Sequence, residues 1–181
     1  MKWVALFSQT GSEVYQISEQ LGRYPDLILC NKQDNLDEIN PNLIGKSPII
    51  FTQLKPTTEE YLQYIREDDF VTMHGWLRIV PGEVCEQRTI YNGHPGDIVT
   101  YPELKGKDPQ LKAIKLGHKK AGCILHRATA ELDGGPIVTT SQKVHIENKT
   151  EDQVFAALHE ASVHMWVDFL AERLVKETVQ Q

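Results

Sequence analysis

The chain has 181 residues, of which 40% are hydrophobic and 24% charged, and its formal net charge is −6. These values suit one globular core, and no apolar run approaches the roughly 20 residues that a membrane span needs. The acidic balance argues against broad nucleic-acid binding, which requires a basic footprint.

Lys2 to Ser8 is a short apolar run rich in strand formers. It is too short for a secretory leader and no small-residue cleavage pattern follows, so it reads as a buried first strand. Ser8-Gln9-Thr10-Gly11-Ser12 then turns into a helix, with Ser12 as its cap, Val14, Ile17 and Leu21 on one face, and Gly22 at its end. Asp26 to Asn31 is a second strand, followed by a polar stretch from Lys32 to Ser47 with little periodicity. Pro48 to Thr52 is a third strand. Thr57-x-x-Glu60 is a capping box that opens a helix running to about Arg66. Phe70 to His74 and Thr89 to Asn92 are the fourth and fifth strands.

Strands alternating with helices at this spacing argue for βαβ units. The expected fold class is therefore α/β: a doubly wound, mostly parallel twisted sheet with helices on both faces. Ligands of such sheets sit beyond the carboxyl ends of the strands. Gly11-Ser12, His74 to Arg78 and Asn92 to His94 are thus expected to share one edge.

After Asn92 the texture changes. Asp108-Pro109 is a cap with proline at the first helical position, and Leu111, Ile114 and Leu116 supply an apolar side to about His118. Gly122 to Arg127 and Pro136 to Ile146 read as strands joined by the loop carrying Asp133. Thr150-x-x-Gln153 is a second capping box. It opens a long C-terminal helix with Val154, Leu158, Ala161, Met165 and Phe169 in one stripe. The Gln180-Gln181 end is expected to fray. Cys30, Cys85 and Cys123 are odd in number and widely spaced, which indicates no disulfide framework or zinc ribbon and fits a cytoplasmic protein.

Two clusters carry candidate chemistry: Tyr91-Asn92-Gly93-His94-Pro95 and Glu131-Leu132-Asp133-Gly134-Gly135-Pro136. Singly, Asn-Gly and Asp-Gly-Gly are ordinary turn formers. Asn92 and His94 lie two apart at a strand end and can face one cleft. There an amide and a protonated imidazole would form an oxyanion hole for acyl transfer, with a carboxylate such as Asp133 holding the imidazole in its charged form. His159 and His164 are five apart, roughly 140° around a helix, so they are not a zincin pair and no metal site is indicated. Six lysines between Lys105 and Lys120, with Asp108 as the only acid, form a solvated helix face or attract an anion such as a folate glutamate tail or a phosphorylated substrate.

These two clusters, with Leu125-His126, Ile137 and the upstream Gly75-Trp76-Leu77-Arg78-Ile79, resemble the formyltransferase family that uses 10-formyltetrahydrofolate. The ordered match runs from about residue 70 to 146. The resemblance implies one formyltransferase domain over 1–181, with a Rossmann-like phosphate and substrate half (1–90) and a catalytic and folate-binding half (91–181). It implies Asn92, His94 and Asp133 as the catalytic trio, with no metal and no covalent enzyme intermediate. Folate is expected against Trp76, Leu77, Arg78, Ile79 and Val80 and the loop Ala128, Thr129, Ala130, Glu131 and Leu132. The amine substrate is expected at Gly11, Ser12, Glu13, His126 and Glu160.

The resemblance makes glycinamide ribonucleotide the leading acceptor, and an aminosugar nucleotide, a formyltetrahydrofolate hydrolase and a non-catalytic folate-binding protein the alternatives. Methionyl-tRNA is less expected without an RNA-binding domain. A monomer or homodimer is expected, without nucleic-acid or membrane partners. The first loop departs from the family's glycine-rich phosphate loop at Gln9 and Glu13. Glu13 is expected to place a negative charge beside a bound phosphate, at a cost on the order of 1 kcal/mol in water.

Overall fold

A computed structural model of the chain describes residues 1–32 and 36–175. The Gln180-Gln181 end therefore lies outside the described residues, as do Gln33, Asp34 and Asn35 of the polar stretch. Nine strands and five α-helices are described: β1 (Trp3–Phe7), α1 (Ser12–Leu21), β2 (Leu27–Cys30), β3 (Ile49–Phe51), α2 (Thr58–Tyr64), β4 (Phe70–Met73), α3 (Gly82–Gln87), β5 (Ile90–His94), α4 (Pro109–Lys115), β6 (Lys120–Ala121), β7 (Ile124–Arg127), β8 (Ile137–Thr140), β9 (Val144–His145) and α5 (Glu151–Leu170).

Seven strands form one sheet in the order β3-β2-β1-β4-β5-β7-β8. The first five are parallel, whereas β7 and β8 are each antiparallel to their neighbour. Every residue of β1, β2 and β4 is buried, as expected of parallel strands covered on both faces. Alternation along β1 divides the core. Trp3, Ala5 and Phe7 pack with Val14 and Ile17 of α1 and with Val154, Leu158, Met165 and Phe169 of α5. Val4 and Leu6 pack with Tyr61 of α2 and with Val84 and Cys85 of α3 on the other face. Among the described residues no helix is long and apolar enough to cross a membrane.

Several local expectations change. Ser12 is the first residue of α1 rather than its cap. The cap position is Gly11, in the left-handed region at φ 76°, where a Cβ would lie 2.7 Å from Phe7 and Leu43. Leu43 comes from the polar stretch, which is anchored by buried Ile39 and Leu43 and by a hydrogen bond from Asn40 N–H to the Thr10 carbonyl (2.8 Å). At α2 only half of the expected box forms. Thr57 caps Glu60 N–H, but the Glu60 carboxylate accepts from Gln53 N–H instead of reaching back to Thr57. The box at Thr150 and Gln153 is complete.

Helix α3 lies in a segment with no element expected from the sequence, because a six-residue helix gives too short a period to recognise. Helix α4 ends at Lys115, and its buried residues are Pro109 and Ala113, whereas Leu116 stands in solvent. The expected strand from Pro136 to Ile146 breaks in two. Its second part, β9, pairs with β6 in a separate ladder. On α5 the stripe is buried apart from half-buried Ala161, and it is widened by Val163, Trp166 and Leu170.

The loop from β7 to β8 folds back on itself tightly enough to specify its residues. A Cβ at Gly135 would fall 1.7 Å from the Arg127 carbonyl oxygen. Backbone rather than a flexible side chain is the obstacle, so Gly135→Ala is expected to cost at least about 2 kcal/mol of unfolding free energy. Urea denaturation measures this, and an alanine variant as stable as the parent would contradict the packing described.

Candidate functional site

Three loops meet at the carboxyl edge of the parallel strands because β1, β4 and β5 are neighbours in the sheet. Ser8 N–H donates to the Gly75 carbonyl (3.3 Å) and Leu77 N–H to Ser8 Oγ (2.9 Å), so the loops after β1 and β4 are tied together. Asn92 sits opposite Met73 on one side and His126 on the other.

Asn92-Gly93-His94 is strand rather than turn, which corrects the placement of β5. Pairing with β7 along its whole length, and with β4 at Asn92, holds the segment extended. Gly93 is needed because the Trp166 indole covers it: a Cβ there would lie 2.8 Å from Trp166 Nε1. Asn92 and His94 consequently project from the same face of β5.

Three side chains and a backbone N–H gather around one carboxylate. Asp133 is buried, at φ 52°, in the loop after β7. Its Oδ2 accepts from Gly106 N–H (2.8 Å) and lies 3.6 Å from His94 Nδ1, while its Oδ1 lies 3.6 Å from His126 Nε2. The two imidazole separations exceed a direct hydrogen bond. Asn92 Nδ2 donates to His126 Nε2 (3.2 Å), which leaves its second amide hydrogen for another acceptor. His94 Nε2 donates to the Leu104 carbonyl (2.8 Å).

Burial pushes the His94 imidazole below its ordinary value and outweighs the Asp133 carboxylate and the Leu104 carbonyl, both of which favour the charged form. The resting ring is therefore neutral at pH 7, against the expectation of an imidazolium. Burial acts upward on Asp133 as well. There His126, His94 and Gly106 N–H together outweigh it, and the carboxyl is held below its usual range. An ionised carboxylate thus faces the neutral His94 ring.

Leu104 and Gly106 fasten this arrangement and have no signature in the sequence, because both act through backbone atoms. Gly96 also packs on the His94 ring, where a Cβ would come within 3.2 Å of it.

The other expected residues divide. Leu77, Ile79 and Leu132 are 64%, 63% and 52% exposed, an open apolar wall on the two loops expected to hold folate. Trp76, Val80 and Ala128 are not part of that wall. They are buried in the core on the α2 and α3 face, and Trp76 Nε1 donates to the Tyr61 hydroxyl (3.0 Å). Thr129 and Glu131 bond each other within the loop, next to Ala130. Arg78 Nε donates to the Leu54 carbonyl (2.9 Å) and lines a cavity of about 380 Å³ with Ser8, Asn31, Lys32, Leu54 and Leu77.

At the first loop, Ser12 N–H donates to Thr10 Oγ1 (3.3 Å), and Ser12 Oγ contacts Thr10 Oγ1 (3.0 Å) and accepts from Asn40 Nδ2 (3.4 Å). Glu13 is turned away from the loop, into the seam between α1 and α5, where Ser162 Oγ donates to it. Burial there raises its carboxyl toward neutrality despite Ser162 and His159. The expected repulsion of a phosphate is thereby weakened.

His126 belongs to the Asp133 group itself. Glu160 lies on the exposed face of α5 with His164 Nε2 at 3.9 Å, and no contact ties it to the other site residues. His159 bonds Gln16 (2.8 Å). Among the described residues no group of three or more His, Cys, Asp or Glu side chains is arranged to hold a metal ion.

The chain matches the family model described as formyl transferase over residues 28–170. It is 37% identical over 81 residues to methionyl-tRNA formyltransferase of Thermotoga neapolitana, covering 44% of this chain and 25% of that protein. It is 30% identical over 82 residues to mitochondrial formyltetrahydrofolate deformylase 2 of Arabidopsis thaliana, covering 44% and 24%. The match thus spans about a quarter of these relatives' length. The fold is similar to phosphoribosylglycinamide formyltransferase of Campylobacter jejuni, at TM-score 0.79 and 24% identity over 95% of this chain and 96% of that one. It is also similar to the Streptococcus pneumoniae enzyme of the same name, at 0.76 and 19% over 95% and 98%.

The buried imidazoles give a pH dependence of known sign. His94 lies below its ordinary value of 6.5, and His74, buried beneath the same edge, is pushed down to about 3. The folded state binds fewer protons than the unfolded chain once pH drops below 6.5. These two groups therefore remove stability as pH falls from 6.5 toward their folded values and contribute no slope above it. Denaturant melts from pH 8 to 5, with NMR titration of both rings, test this. A ring that titrates above 6.5 would contradict the assignment.

Proposed function

We propose that this chain, which belongs to the formyl transferase family, passes a formyl group from 10-formyltetrahydrofolate to a primary amine. The observation that carries the reading is the buried Asp133 carboxylate between His94 and His126, with Asn92 held beside them. Leu77, Ile79 and Leu132 offer an apolar surface suited to a pterin, and the loop of Thr129, Ala130 and Glu131 borders it. Arg78, fixed by Leu54, adds a cation at that edge.

When bound, the folate supplies a formyl carbon on a nitrogen that can leave as an amine. Asn92 already spends one amide hydrogen on His126, and that bond aims the second at a carbonyl oxygen held at the strand edge. As negative charge develops on that oxygen, this donor strengthens its hold. His94 starts neutral and faces an ionised carboxylate at Nδ1. A proton taken up there is stabilised by Asp133. The nitrogen–carbon bond to the acceptor forms and that to the folate breaks. The proton shed by the attacking amine ends on the leaving nitrogen, so none is consumed. The chemistry requires neither a metal nor a covalent bond to the chain.

Glycinamide ribonucleotide is the leading acceptor. The likeness in fold to enzymes named for phosphoribosylglycinamide supports it, and so does the retreat of Glu13 from the first loop. Gly11 and Ser12, at the start of a ten-residue helix, suit its phosphate. Residues 1–90 would then contribute most of the acceptor side and 91–181 the reacting groups. The similarity to a deformylase supports a second reading, with water as acceptor.

Incubation with 10-formyltetrahydrofolate and glycinamide ribonucleotide is expected to release tetrahydrofolate only when both are present. Release without an amine would favour the second reading. In the amine-dependent assay Asn92→Ala, His94→Ala and Asp133→Asn are each expected to lower turnover by about 10²-fold or more. Full activity in any of the three would overturn its assignment.

A further inference from the structure

A second cavity, of about 420 Å³, lies apart from the Asp133 group. It is lined by Asp97, Tyr101, Gly117, His118, Lys119, Lys120 and Lys143. Its wall is an aromatic pair: the Tyr101 and His118 rings stack with centroids 3.9 Å apart at 23°. The His118 side chain is 10% exposed, so the stacked pair is a firm wall rather than a mobile surface group.

Charge at the rim is not balanced. Lys143 is matched by Asp97 Oδ2 (3.2 Å) and also donates to Thr100 Oγ1 (3.2 Å). Lys119 and Lys120 are exposed and have no acidic partner within ion-pair distance among the described residues. Glu103 Oε1 lies 4.0 Å from His118 Nε2 and pairs with neither lysine, so the rim carries two lysines without ion-pair partners on a molecule whose net charge is −6. Flanking Lys112 and Lys115 on α4 extend the same field.

The positions are also held firmly. Lys120 lies in the β6–β9 ladder opposite His145, and Gly117, at φ 72°, turns the chain out of α4 directly before His118.

From this juxtaposition we infer that the cavity binds a small phosphorylated ligand, its phosphate between Lys119 and Lys120 and its body against the Tyr101–His118 stack. A phosphate ester carries close to two negative charges at neutral pH, which matches the two lysines without ion-pair partners; one carboxylate would match only half of their charge. The inference does not rest on the function proposed for the Asp133 group.

The test uses the whole chain and sodium pyrophosphate, a compact probe with no apolar body. Calorimetry at low ionic strength is expected to show saturable binding that falls as salt is added. The double variant Lys119→Gln, Lys120→Gln is expected to weaken it at least about tenfold. The variant Lys55→Gln, Lys149→Gln removes the same charge from exposed positions elsewhere and is expected to leave binding within twofold. NMR titration should shift His118 and Tyr101. Absent binding, equal loss in both double variants, or shifts confined to Gly11 and Ser12 would overturn the inference.

Discussion

One buried carboxylate organises the carboxyl edge of this sheet. Asp133 has lost most of its contact with water and remains ionised only because His126, His94 and the Gly106 N–H face it together. Each partner arrives from a different part of the chain: β5, β7, and the turn before α4. Burying a carboxylate without such partners costs several kcal/mol. The folding of three segments is therefore coupled to the ionisation state of one side chain. The same anion that holds the imidazoles in place favours a proton on His94 against the burial that opposes it.

The sheet supplies the geometry. Trp166 of α5 lies against Gly93, and this contact fixes how closely the helix approaches β5. Asn92 and His94 flank that glycine, so the depth at which they emerge is set by the packing of an indole on the opposite side of the strand. Trp166 Nε1 and His74 Nδ1 are both buried without a partner, and their rings lie 4.5 Å apart. The sheet thus carries unsatisfied polar groups beneath the candidate site, a form of local cost that is common where function constrains packing.

Much of this was legible in the sequence, and for identifiable reasons. The strands β1, β2 and β4 are continuous apolar runs, and the capping residues of α5 are local signals that tertiary structure has no cause to override. Asn92, His94 and Asp133 could be singled out because each stands beside glycine or proline in a distinctive run. What failed was non-local. Asn92-Gly93 has the composition of a turn, yet pairing with β7 makes it strand. Trp76, Val80 and Ala128 have the composition of a binding surface, yet they complete the core over α2 and α3. The roles of Leu104 and Gly106 are carried by a carbonyl and an amide that every residue possesses. Glu13 reads as a charge beside a phosphate loop, and only the packing of α1 on α5 shows that its carboxyl points elsewhere.

The first loop has a thermodynamic character of its own. The Thr10 hydroxyl occupies Ser12 N–H, and Asn40 and Thr10 occupy the Ser12 hydroxyl, so the loop is closed in the absence of any ligand. An anion arriving there exchanges hydrogen bonds rather than adding them, and the net gain of each exchange is small. In return, the backbone is held in its curved form by its own side chains and loses little freedom on binding. Such a loop behaves as a latch already in register. It favours modest affinity with rapid entry and release for any anion that meets it.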